Sequence, residues 1–275
     1  MLETIRAVTY TVPDLGAIEH AYARWLRYRV VARGALPERM ARAWTAPAAV
    51  GRPFITLAPE SDEAVFLRFV EDPAAAGWRA LTTHGWNVSE LLVRDVDALA
   101  AELERSPFTI IGRPESLQRF PMIRAMQVTG PAGECLYLTQ VGSGCGLPLP
   151  QAQSFVGRVF IVVAGGADLA ALFATYAPFG NEVDPPVATR VRVISSANGL
   201  PPETEHLHGL VKLADGTLVE LDRYPPVTRP RPRKSGALPQ GMAVVSFAAS
   251  GLSRPQLVEG AAGELIEVLE MDDAG

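Results

Sequence analysis

Three things are scarce in this sequence, and each scarcity argues against a class of protein. The 275 residues include only two cysteines, so a disulfide framework is not expected and a reducing, cytoplasmic compartment is predicted. No apolar stretch reaches the roughly 18 to 20 residues that span a bilayer, and Glu3 and Arg6 interrupt any signal-like segment. The formal net charge of -5 offers no positive field for nucleic acid or an anionic membrane. We expect a cytoplasmic protein of bacterial type with a small-molecule partner.

The order of the residues indicates a repeated supersecondary unit. Residues 5–12 alternate like a strand with two different faces, Asp14 follows as a helix N-cap, and β-compatible runs at 54–57 and 64–70 come next. A similar order returns from residue 86 and again from residue 155, where 189–194 read as a strand and Asp215-Gly216 as a hairpin turn. The fourth copy is incomplete, with strand-like runs only at residues 242–248 and 264–269. The pattern predicts an α+β protein of tandem βαβββ modules, the fourth truncated.

A stretch rich in glycine and proline predicts a linker between two halves of similar length. The predicted boundaries are a first domain at 1–142, a linker at 143–153 and a second domain at 154–275, with two modules in each domain. Sequence leaves open whether modules pair within one chain or across a homodimer.

Three stretches carry a resemblance to a known superfamily: residues 5–15 with 26–28, residues 91–97, and residues 130–138. In their order and spacing the chain resembles the vicinal oxygen chelate superfamily of glyoxalases, bleomycin-resistance proteins and extradiol dioxygenases. The resemblance implies that paired modules curl into two half-open mixed β-barrels with the helices outside. It also implies a divalent metal in the barrel, held by two histidines of first strands and two carboxylates of last strands.

The positions implied for those ligands hold mostly other residue types. In the first half they are Ala7, Arg68, Val88 and Tyr137, and in the second half Arg158, Glu220, Val244 and Glu267. The four histidines, at 20, 84, 206 and 208, match none of them. His206 and His208 share a strand face, without an evident third ligand. We therefore expect no metal and no other cofactor.

Strand alternation places three polar side chains of the first half in one concavity: Arg68, Glu90 and Tyr137. In the catalytic interpretation Arg68 stabilises developing negative charge, Glu90 moves a proton and Tyr137 orients or donates. In the structural interpretation Arg68 and Glu90 form a buried ion pair that fills a former metal site. The residues predicted to line the substrate are Thr9, Phe66, Trp86, Asn87 and Val88. The second half offers the alternative set Arg158, Glu220 and Glu267.

Three functions stay open at this point. The first is a metal-independent enzyme, of lyase or isomerase type, that performs proton transfer, isomerisation or elimination on a small apolar or aromatic molecule. The second is a protein that binds and sequesters a small molecule without transforming it. The third is a metal-dependent glyoxalase or dioxygenase with ligands at unexpected positions.

Overall fold

The structure is a computed structural model that describes residues 1–251 and 254–271. Its strands and helices group into four modules, as predicted. Module one comprises β1 (Leu2–Val12), α1 (Leu15–Trp25), β2 (Arg29–Ala35), α2 (Glu38–Ala43), β3 (Pro53–Ala58) and β4 (Phe66–Glu71). Module two comprises β5 (Gly85–Val93), α3 (Val96–Leu103), β6 (Thr109–Ser116), β7 (Ile123–Thr129) and β8 (Cys135–Val141).

Modules three and four complete the chain. Module three comprises β9 (Val156–Gly166), α4 (Leu169–Tyr176), β10 (Val183–Arg190), α5 (Arg192–Ala197), β11 (Glu205–Lys212) and β12 (Leu218–Arg223). Module four comprises β13 (Gly241–Ala249), β14 (Gln256–Glu259) and β15 (Leu265–Glu270). Its described residues include no helix, so the prediction of a truncated fourth module is confirmed.

An aspartate begins the first long helix of each complete module. The side chains of Asp14, Asp95 and Asp168 accept hydrogen bonds from backbone N–H groups of the first helical turn. Such a cap satisfies donors that have no partner within the helix. The structure thus confirms Asp14 as the predicted cap.

Two mixed sheets organise the modules differently from the two halves of the chain. The seven-stranded sheet has the order β14-β15-β13-β1-β4-β3-β2, and the eight-stranded sheet β10-β11-β12-β9-β5-β8-β7-β6. Antiparallel pairing of β1 with β13 and of β5 with β9 joins module one to module four and module two to module three. The domain boundaries stay a prediction. The expectation that modules one and two share a half-barrel is wrong, because sheet partners come from opposite halves.

The second half of one predicted strand is helical. Residues 189–194 read as a strand, but β10 ends at Arg190 and the six-residue α5 begins at Arg192. The apolar Val193 and Ile194 are buried against the eight-stranded sheet. Tertiary burial thus overrides the β-propensity of this short apolar run.

The main core lies between the sheets and includes apolar residues of α1, α3 and α4. Direct bonds also tie the sheets together: Tyr10 bonds the hydroxyl of Ser89 at 2.7 Å, and the Trp86 indole donates to the Leu265 carbonyl at 2.8 Å. The opposite, concave faces of the sheets therefore point away from this core. Within residues 1–251 and 254–271, no helix combines the length and apolar character needed to cross a membrane.

Candidate functional site

The concave face of the seven-stranded sheet, here called the first cup, contains Thr9, Arg68, Ser246 and Glu267. Arg68 on β4 donates to the Thr9 hydroxyl on β1 at 3.2 Å. Glu267 on β15 accepts from the Ser246 hydroxyl at 2.5 Å and from the Trp44 indole at 2.7 Å. Burial lowers the pKa of Arg68, and the negative charge of Glu267 opposes that shift. The polar groups of this cup thus mostly bind one another.

Trp44 closes the first cup. It follows α2, is fully buried, and lies in an apolar cluster with Leu36, Val244 and Leu238. The Arg68 guanidinium stands 5.5 Å from the Trp44 ring centre, a cation–π distance. This cup is therefore filled by the chain's own side chains.

The concave face of the eight-stranded sheet, here called the second cup, is rich in acids and phenols. The side chains concerned are Glu90 on β5, Tyr137 on β8, Glu220 and Asp222 on β12, Tyr224 just after β12 and His208 on β11. Val88, Cys135 and Tyr137 form one cluster with Tyr224 and with Val193 of α5. Alternation along β5 and β8 is as predicted, because Ser89 points to the opposite face and bonds Tyr10.

Glu90 is held deep in the second cup. Its Oε1 accepts a hydrogen bond from the Thr139 hydroxyl at 2.5 Å, and the residue is 8% exposed. Burial raises the pKa of Glu90 to about 8, the charge of Glu220 adds to the rise, and the Thr139 bond opposes it. A carboxyl with such a pKa exchanges its proton near neutral pH.

A second group of titratable side chains lies along the β11–β12 hairpin. The register pairs His208 with Asp222, and His208 Nδ1 stands 3.7 Å from Glu220 Oε1. Asp222 is 1% exposed, and burial, with the charge of Glu220, raises its pKa well above the ordinary range. Burial likewise keeps Tyr137 and Tyr224 as neutral phenols by raising their pKa values. The second cup therefore combines proton-exchanging acids with neutral hydrogen-bond donors.

The structure separates the predicted catalytic set. Glu90 and Tyr137 lie in the second cup, but Arg68 lies in the first, so the concavity shared by all three is not formed. The reason is the sheet pairing: β4 joins β1 and β13, whereas β5 joins β8 and β9. Of the predicted lining residues, Thr9 and Phe66 accompany Arg68 on the first sheet, and Val88 accompanies Glu90 on the second.

Two further lining residues have structural contacts instead. Trp86 is buried between the sheets and bonds the Leu265 backbone. The Asn87 side chain accepts from the Leu81 N–H and donates to the carbonyls of Thr83 and Gly85, which braces the loop before β5. Neither is placed to line the second cup.

The alternative set of the second half is divided as well. Glu220 lies in the second cup and Glu267 in the first, while Arg158 binds Glu63 at 3.3 Å and Asp215 at 3.0 Å. The cause for Arg158 is a bulge in β9: Leu91 pairs with Val159 and Val93 with Val156, so β9 has three residues where β5 has two, beside Arg158. An extra residue in a strand shifts the preceding side chains relative to the sheet. Ile161, not Arg158, holds the position opposite Glu90.

Strand alternation along β8 already turns Thr139 to the cup face, but the sequence did not indicate Thr139 as the partner of Glu90. Asp222 and Tyr224, beside Glu220, were missed. The signal was available, because residues 220, 222 and 224 alternate along one strand after the Asp215-Gly216 turn. His208 lies opposite Asp222 across that same hairpin. The pairing of these two strands therefore places a carboxylate beside His208, where the sequence alone showed no further metal ligand.

Comparison with known proteins identifies the fold. The sequence matches no protein-family model and no curated protein. Glyoxalase I from Zea mays superposes with a TM-score of 0.64 at 13% identity, covering 97% of this chain and 92% of that one. The chain has the vicinal oxygen chelate fold. A point mutant of that enzyme gives a TM-score of 0.64 at 14% identity, again over 97% and 92%. A candidate dioxygenase from Bacillus subtilis subsp. subtilis str. 168 gives 0.63 at 11%, over 98% and 85%.

The metal that a vicinal oxygen chelate protein implies does not fit the ligand positions inferred from the resemblance. In the first cup these positions carry a guanidinium at Arg68 and a Glu267 whose two oxygens already accept hydrogen bonds from Trp44 and Ser246. Of the positions inferred for the second cup, Val88 has no donor atom, Tyr137 is not a usual ligand, and Arg158 is a cation that pairs with Glu63 and Asp215. Only Glu220 is a usual metal ligand there. No reaction step is therefore derived through a metal at those positions.

Proposed function

We propose that this vicinal oxygen chelate protein is an enzyme that moves a proton on a small apolar or aromatic molecule in the second cup. The observation that carries the proposal is Glu90, a buried acid held by Thr139 among the apolar and phenolic side chains of the cup. Lyase or isomerase chemistry fits a single proton-transferring carboxyl, because both reaction types begin by removing a proton next to an activating group.

Each polar group of the cup then has a distinct task. Ionised Glu90 takes a proton from the substrate, and the Thr139 hydroxyl keeps the carboxylate oriented. The Tyr224 hydroxyl has no hydrogen-bond partner among the described residues. It is therefore free to donate to the oxygen on which negative charge develops, with Tyr137 beside it. Arg68, which belongs to the first cup, has no part in this step.

The short helix α5 packs against one end of the second cup. Val193 and Ile194 of this helix, together with Leu81 of the loop before β5, cover one end of the second cup. Two surface cavities of about 240 and 290 Å³ lie elsewhere on the molecule, one beside Arg231 and the other beside Phe179. We expect a substrate that enters at this end of the second cup to displace α5.

The test compares wild type with Glu90→Gln on any compound found to bind in a small-molecule screen. We expect Glu90→Gln to bind within about threefold of wild type and to lose turnover by about 10² to 10⁴, the usual contribution of a general base. Turnover is read by mass spectrometry and by deuterium incorporation from solvent. Glu264→Gln is the matched control, a buried carboxyl outside the cup that should leave turnover unchanged.

Two outcomes contradict the proposal. Unchanged turnover in Glu90→Gln removes Glu90 from the reaction. Binding with no chemical change in the ligand, after long incubation with wild type, shows instead a protein that sequesters its ligand.

A further inference from the structure

Three side chains of metal-ligating type converge at one end of the second cup. His208 lies on β11 directly opposite Asp222 on β12, and Glu220 precedes Asp222 by two residues on the same strand face. One ligand atom from each of the three side chains lies within 4.8 Å of the other two. The hairpin register, not chain proximity, brings the imidazole to the carboxylates.

Four buried polar atoms at this point have no hydrogen-bond partner among the described residues. Asp222 is 1% exposed, yet its Oδ1 accepts no hydrogen bond. Both ring nitrogens of His208 are buried without a partner, and so is the hydroxyl of Tyr224, which is 3% exposed. Buried polar atoms are nearly always hydrogen-bonded in folded proteins, so several orphaned atoms at one place indicate groups that bind something other than the chain.

The chemistry of the group favours a cation. Glu220 and Asp222 repel each other when both are ionised, and a doubly charged cation would neutralise both. One imidazole nitrogen with two carboxylate oxygens is a donor set typical of first-row transition metals, whereas Mg²⁺ and Ca²⁺ prefer oxygen alone. The nearby phenol of Tyr224 could bind a water or substrate held by such an ion.

We propose that His208, Glu220 and Asp222 bind one divalent first-row transition-metal cation, such as Zn²⁺, Co²⁺ or Mn²⁺. Only Glu220 belongs to the ligand positions implied by the family resemblance. His208 lies on β11, the third strand of module three, and Asp222 lies two residues after Glu220 on β12. Neither is a ligand position implied by the resemblance. The site does not depend on proton transfer by Glu90, so it goes beyond the proposed function.

The test uses the full chain after treatment with a chelator. Co²⁺ is titrated and followed by its visible absorption, and Zn²⁺ by calorimetry. We expect saturation at one cation per chain. Asp222→Asn and His208→Gln, which keep side-chain shape, should each weaken binding about tenfold or more, in line with the loss of a metal-site contact. Circular dichroism verifies that both variants fold.

His206→Gln is the matched control. His206 lies two residues from His208 on the same strand face, but its Nε2 bonds the Ser195 hydroxyl at 2.9 Å. This variant should bind the cation as tightly as wild type. Glu90→Gln should also bind it within a few-fold, which separates the cation site from the proposed function.

The proposal is overturned if wild type takes up neither Co²⁺ nor Zn²⁺ at one per chain, which would leave a proton shared between Glu220 and Asp222. It is equally overturned if Asp222→Asn and His208→Gln bind as tightly as wild type, because the cation would then bind elsewhere. Loss of turnover in Glu90→Gln with intact cation binding would support both proposals independently.

Discussion

The two cups differ in how completely their buried polar groups are hydrogen-bonded to one another. In the first, Glu267 accepts hydrogen bonds on both oxygens, and one atom, Arg68 Nε, lacks a partner. In the second, four atoms have no hydrogen-bond partner in the part of the chain that the structure describes: both ring nitrogens of His208, Asp222 Oδ1 and the Tyr224 hydroxyl. A buried polar group without a partner destabilises the folded state, so a fold retains such groups mainly where they serve a ligand. The first cup is thus filled by internal packing, whereas the second leaves buried polar atoms unpaired, which supports the sites proposed there.

The largest expected effect concerns the residue that fills the first cup. Trp44→Ala should lower the free energy of unfolding by about 3 to 5 kcal/mol, because a fully buried indole is replaced by a cavity. Trp44→Phe should cost less, since it mainly removes the bond to Glu267. Denaturant unfolding measures both. Trp25→Phe, at a half-buried position, is the control, and an equal loss there would show that Trp44 does not hold the cup.

The second prediction tests the buried acid of the second cup through pH. Folding raises the pKa of Glu90 from its ordinary 4.5 to about 8, so the folded state holds this proton more tightly than the unfolded state. Its contribution to stability is complete below pH 4.5 and is lost as the pH rises through 8. Relative to Glu90→Gln, wild type should therefore lose roughly 4 kcal/mol between pH 5 and pH 9.

The measurement for Glu90 is the free energy of unfolding of both proteins across that pH range. Burial also raises the pKa values of Glu134 and Glu264 to about 7, but both proteins share these groups, so the difference reports on position 90. If the difference in free energy of unfolding between wild type and Glu90→Gln stays constant with pH, folding does not raise the pKa of Glu90 and the prediction is wrong.

The smallest expected change in stability concerns two buried tyrosines on helices, Tyr22 on α1 and Tyr176 on α4. Tyr22 on α1 donates to Glu134 at 3.2 Å. The hydroxyl of Tyr176 on α4 and Oε1 of Glu264 have no hydrogen-bond partner among residues 1–251 and 254–271. Tyr22→Phe should lower stability by about 1 to 2 kcal/mol, and Tyr176→Phe should change it little. Thermal unfolding of the two variants measures both stability changes. An equal loss of stability in Tyr176→Phe would indicate that the Tyr176 hydroxyl is also hydrogen-bonded in solution.

Local features of the fold could be predicted from the sequence because they depend on near neighbours. Asp14 caps its helix within three residues, and the Asp215-Gly216 turn joins adjacent strands. The incomplete fourth module follows from the few residues between its strand-like runs at 242–248 and 264–269. The bulge in β9 could not be predicted, since nothing near Arg158 marks the extra residue, and the cup assignment of Arg158 failed with it.

The candidate site was predictable only in part. Glu90 and Tyr137 share a cup because β5 and β8 are parallel neighbours within one module, a pairing that module periodicity implies. Arg68 was assigned to the same cup because the two modules are adjacent in the chain. Which modules share a sheet depends on strand pairing between residues more than 60 positions apart in the chain, and the periodicity of a strand does not specify its partner.

The sequence by itself determined the module, its repetition and the alternation that turns certain side chains to a concave face, because these depend on periodicity and near neighbours. Tertiary structure alone decided that module one joins module four and module two joins module three. That choice separates the guanidinium of Arg68 from the acids around Glu90 and places His208 opposite Asp222. The physical reason is that burial and strand pairing act between distant segments, so they decide which polar groups meet after local structure has formed.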